Sequence, residues 1–135
     1  MGDLTSWIRG VGGLHLLLIV ANLLLPRKLR TADHLPCLPP LLRQIFIVHS
    51  IYIVLVLAGF AALCFAFAPE LAGGSALGRS LSAGIALFWI LRVPIQLFYY
   101  DPEERRKNRF VDVGVLFVML FIGAVLGWAA WRGPL

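Results

Sequence analysis

Four long apolar stretches, at about 6–25, 41–67, 80–100 and 110–131, dominate the chain, and short polar segments separate them. A helix of about 20 apolar residues crosses a hydrocarbon core roughly 30 Å thick. Four such stretches nearly exhaust the 135 residues and leave no room for a soluble domain. The pattern predicts an all-α integral membrane protein. It would form a single domain over 1–135, with four transmembrane helices in an antiparallel bundle.

Local signals set the expected boundaries. Asp3, Thr5 or Ser6 can cap the first helix, and Pro26 is expected to end it. This stretch has neither a basic start nor a small-residue cleavage site, so it reads as a retained span rather than a secretory signal. The segment 26–40 holds Pro26, Pro36, Pro39 and Pro40, which predict an extended, stiff connection. Pro69, Gly73, Gly74 and Gly78 predict a second loop. Pro94 lies inside the third span and predicts a kink near Leu91. The segment 101–109 is densely charged.

Composition supports this reading, because 60% of residues are hydrophobic and 14% charged. A soluble domain would be about half apolar and about a quarter charged. The net charge of +5 comes from basic residues beside the spans. That placement suits insertion and contact with membrane lipid, and nucleic acid is not an expected partner. Arg27, Lys28, Arg30, Arg43, Arg105, Arg106, Lys107 and Arg109 lie on one side, against Arg9, Arg79 and Arg132 on the other. Positive charge favours the cytoplasm, so loops 26–40 and 101–109 are expected there, with both termini outside. Trp7, Trp128 and Trp131 would mark the outer interface, and Tyr99 and Tyr100 the inner one. A bacterial inner (plasma) membrane is the expected setting. Cys37 and Cys64 then fall on opposite sides, so no intramolecular disulfide is expected.

Arg92 changes the picture most. A guanidinium stays charged at any accessible pH, and inside a span it needs a partner, a wet cavity or a route to the interface. By helical rise, His15, His49 and Arg92 are each roughly 12–15 Å from the inner ends of their spans. Trp89, Arg92, Gln96 and Tyr99 or Tyr100 follow three- and four-residue steps along one stripe. His49 and Tyr52 are neighbours on the second span, and Asp112, near the start of the fourth, is a possible counter-ion for Arg92. These residues predict a polar pocket open to the cytoplasm, with Arg92, Gln96, His49, His15, Tyr52 and Trp89 as ligand-binding residues. Its apolar walls suit an amphiphile such as a lipid, an isoprenoid or a quinone, or a role as accessory subunit in lipid metabolism.

Competing readings use the same residues. The polar groups can satisfy one another and lock the helices of a structural or assembly subunit. His49 is the weak candidate for a general base, which leaves enzymatic activity open. His15 and His49 on neighbouring spans could ligate a haem iron, although no cofactor or metal is the leading expectation. There is no HExxH, GxSxG, P-loop or dinucleotide fingerprint. Gly123 and Gly127 stand in GxxxG spacing on the fourth span, where a homo- or hetero-oligomer seam is expected.

Overall fold

The computed structural model describes residues 2–28, 30–99 and 102–132. Among these all secondary structure is helical. Four helices are long and apolar enough to cross a membrane: α1 (Gly2–Lys28), α3 (Pro40–Ala66), α5 (Ala76–Pro94) and α7 (Arg109–Trp131). They match the four expected spans. Three short helices connect them: α2 (Thr31–His34), α4 (Ala68–Ala72) and α6 (Pro102–Lys107). Tyr100 and Asp101, expected at the inner interface, lie outside the described residues.

The boundaries differ from expectation wherever a connection was expected to be irregular. Asp3, Thr5 and Ser6 sit within α1 rather than capping it, and the helix continues through Pro26 to Lys28. Proline there removes a single intrahelical bond, and the leucines before it are good helix formers. The stiff connection expected over 26–40 is instead compact. Arg30 adopts a left-handed conformation (φ 53°), then α2 and a tight turn over Leu35–Cys37 follow. Pro36 and Pro40 occupy first-turn positions, where the missing N–H costs nothing. The second loop shortens in the same way. Ala68, Leu71 and Ala72 of α4 are buried, and Gly78 belongs to the first turn of α5.

The winding changes at Pro94, within the third span. The α-helix runs on to Pro94 and then widens into a π-turn over Ile95–Tyr99. Tyr99 is 82% exposed, as is Phe98 beside it at 85%, while Trp89 is buried.

Packing pairs α1 with α3 and α5 with α7, while α4 touches all four long helices. Gly123 of α7 lets this helix approach α5, since a Cβ there would lie 3.0 Å from Ile90 Cγ1. At the end where the chain begins, Arg79 Nε donates to the Ala130 carbonyl (2.9 Å), and Trp7 meets Phe121 with centroids 5.7 Å apart. We call this the terminal end, and the end bearing α2 and α6 the hairpin end.

The buried core is confined to the terminal half. On α1 it runs from Leu4 to Leu18, on α3 from Leu57 to Cys64, on α5 from Gly78 to Trp89 and on α7 from Met119 to Ala129. Toward the hairpin end, none of the described residues of these four helices is fully buried.

Ser75 caps α5 by accepting the Gly78 N–H (3.0 Å), and a Cβ on Gly78 would strike the Glu70 carbonyl oxygen. Gly78→Ala should therefore destabilise the fold by about 1–3 kcal/mol in detergent unfolding. Gly127→Ala, with nothing within 4 Å of its Cβ, should not.

Candidate functional site

The deepest polar contact joins α1 to α5. His15 is wholly buried. Its Nδ1 lies 2.8 Å from the Val11 carbonyl one turn back, and its Nε2 lies 3.0 Å from Trp89 Nε1. A carbonyl accepts only from an N–H, and an indole nitrogen only donates. The ring is therefore neutral, with its proton on Nδ1 and the Nε2 lone pair engaged. Aromatic edges surround the pair. His15 meets Trp89 at 5.5 Å and Phe60 at 5.7 Å, Phe60 meets Phe88 at 5.2 Å, and Phe88 meets Trp89 at 5.4 Å. All four contacts are edge-on, the arrangement ring quadrupoles favour.

A second cluster lies at the hairpin end. Asp112, in the first turn of α7, accepts from Gln96 on the π-turn. Arg105 of α6 forks onto the same carboxylate, with Nε 3.1 Å from Oδ1 and Nη2 2.9 Å from Oδ2. Its Nη1 donates to the Leu97 carbonyl (2.9 Å). Hydrogen bonding to Asp112, ahead of simple charge attraction, raises the Arg105 pKa above its ordinary value. Asp112, expected as a possible counter-ion of Arg92, is held bidentately by Arg105. Arg92 is half-buried on α5, one turn from Phe88 and nearer the hairpin end.

The expected site residues divide into three places. His15 and Trp89 form the aromatic layer. Arg92 and Gln96 follow it along α5. His49 and Tyr52 are exposed on α3 and belong to neither cluster. His49 and Phe60 are eleven residues apart, about three turns, so they share the α5-facing side of α3. They are separated by roughly 16 Å along the axis. Because Phe60 touches His15, His49 does not share the depth of His15, contrary to the count from helix ends. The count from helix ends assumes that those ends are level, and they are not: from this layer α1 runs 13 residues to Lys28, whereas α3 runs 20 residues back to Pro40. The offset is far too large for both imidazoles to reach one iron, and ligation by His15 would also break its bond to Trp89. Among the described residues no group of three or more His, Cys, Asp or Glu side chains is placed to hold a metal ion.

Several residues of these clusters carry no distinctive signal in the sequence. Phe60 and Phe88 look like ordinary span residues, and only their contacts mark them. Arg105 sits in a charged segment, and its role depends on α6, which Pro102 as a first-turn proline signalled. Ser82 is buried, and its Oγ has no hydrogen-bond partner among the described residues. Two grooves open on the surface. Asp3, Ser6, Trp7, Gly10, Leu14 and Phe121 line the one at the terminal end. Pro102, Arg105, Arg106, Arg109, Asp112 and Val113 line the other, of about 630 Å³, at the hairpin end. Comparison with protein-family models, curated proteins and solved structures finds no match to this chain.

Trp89→Phe keeps a ring in the layer but deletes the donor to His15. It should lower stability by about 1–2 kcal/mol, read as an earlier unfolding midpoint in detergent.

Proposed function

We propose that the protein binds an amphiphile with an anionic head group between the hairpin-end halves of its helices. The four spans then form an antiparallel bundle in an inner (plasma) membrane. Loops 26–40 and 101–109 lie in the cytoplasm, and both termini lie outside. One observation carries the reading: the buried core stops at the His15–Trp89 layer, although the helices continue well past it. Beyond the layer the α3 and α5 surfaces are apolar and exposed, with Arg92 and Gln96 half-buried and His49 on the α5-facing side. An acyl, isoprenoid or quinone tail suits such walls.

The hairpin-end groove supplies the head-group contact. Arg105 is neutralised by Asp112, whereas Arg106 and Arg109 line the groove and form no hydrogen bond or ion pair within the described chain. Guanidinium groups grip phosphate or carboxylate oxygens through paired N–H donors. His15 and Trp89 close the tail end of the site by position and packing. Tyr52 takes no part in it.

The reading as a structural subunit has one observation in its favour. His15, wholly buried, has both ring nitrogens satisfied within the chain and serves as interhelical glue. Mass spectrometry of protein washed in mild detergent separates the two. The wild type should retain an amphiphile bearing phosphate or carboxylate. The Arg106→Gln/Arg109→Gln double variant should retain at least about tenfold less at unchanged unfolding temperature. A wild type that retains none overturns ligand binding and leaves the structural role.

Orientation is tested with the native cysteines, since Cys37 is exposed in the first connection and Cys64 is buried. A membrane-impermeant maleimide should label Cys37 only after cells are opened; labelling of intact cells would reverse the topology.

A further inference from the structure

Of the four spans, α3 is the least covered, with 11% of its apolar window buried. Its sides have different neighbours. Leu57, Ala61 and Cys64 are buried on the side that packs on α1, and Phe60 turns toward α5. The remaining side carries Leu41, Ile45, Val48, Tyr52, Leu55, Gly59, Ala62 and Ala66, and every one of them is exposed. Steps of four and three residues keep them on one face, so they form a continuous exposed stripe along the helix. The stripe also narrows toward its terminal end, where Gly59, Ala62 and Ala66 are small. A Cβ on Gly59 would meet nothing within 4 Å, so its small size is unused within the chain.

Tyr52 points to what covers this face. It is 63% exposed on the outer surface of α3, roughly 18 Å from the Pro40 end and therefore near mid-membrane. Its hydroxyl makes no hydrogen bond to any described residue. Hydrocarbon offers a hydroxyl no partner, so the group calls for a second protein surface. A tyrosine hydroxyl both donates and accepts, which makes it complementary to itself.

We propose that two copies of this chain associate through the α3 stripe. Copies inserted in the same orientation meet with their α3 helices parallel, related by a two-fold axis along the membrane normal. Each stripe residue then faces its own counterpart. Tyr52 bonds to Tyr52 of the partner subunit across the axis, as a buried polar residue at a core position fixes register in a parallel pair. Gly59, Ala62 and Ala66 let the helices close at the terminal end. Of the two glycines expected to form a seam on α7, Gly123 packs against Ile90 of α5 and Gly127 is open. The association is independent of the amphiphile site, since Tyr52 lies outside it.

Disulfide scanning in native membranes tests the interface. In a Cys37→Ser/Cys64→Ala background, single cysteines at Val48, Tyr52, Leu55 and Gly59 should oxidise to a dimer of twice the chain mass. Single cysteines at Ser50 and Ile53, off the stripe, should not. Gly59→Leu should cut the yield at Val48 at least about tenfold while leaving the protomer folded, because the position is open within the chain. Tyr52→Phe should weaken the dimer and leave amphiphile retention unchanged. Equal yields on and off the stripe, no dimer at any position, or cross-links only to a protein of different mass would each overturn self-association.

Discussion

The bond from Trp89 to His15 governs the rest of the structure. It spans 74 residues of sequence and ties the α1–α3 pair to the α5–α7 pair at the level where the buried core ends. In hydrocarbon a polar group must find its partner inside the protein. One histidine on α1 therefore constrains the rotation of both helices. The Nδ1–H bond to Val11 orients the ring, and the indole can donate only if α5 presents Trp89 at that height. Phe60 and Phe88 then pack around the pair. The apolar surfaces of these helices would tolerate many rotations; this bond selects among them.

The sequence made the spans legible because their signal is length and hydropathy, both additive along the chain. It made several polar residues legible because charge in an apolar run is conspicuous: Gln96, Asp112, His15 and Trp89 all make polar contacts. What it did not reveal was which residues pair. Asp112 looked like the counter-ion of Arg92, yet its bidentate partner Arg105 comes from a short helix inside a charged segment. His15 and His49 seemed level when counted from expected span ends, but the contact of Phe60 with His15 puts the hairpin-end termini of α1 and α3 at different heights. Tyr52 seemed to join His49 because three residues separate them; a three-residue step leaves enough rotation to place one toward α5 and the other toward the outer surface.

The connections share a physical explanation. Prolines and glycines mark where regular bonding is interrupted, but membrane-protein connections still bury backbone polar groups where they can. Pro36, Pro40 and Pro102 all fall in first turns, where a proline omits only a donor that would go unused. Pro94 acts differently. Its missing N–H is followed by a π-turn, and the changed winding carries Gln96 to the carboxylate on α7.

The two hairpins differ in how they are held. The second is clasped at both ends, by Arg79 on the Ala130 carbonyl and by Arg105 and Gln96 on Asp112. Each clasp joins segments within the same hairpin, so this half can close as soon as its own residues have been synthesised. The first hairpin is made earlier, yet His15 lacks its indole donor until Trp89 emerges. During synthesis the earlier half must therefore wait in the bilayer with an imidazole lone pair unanswered, and the later half completes it.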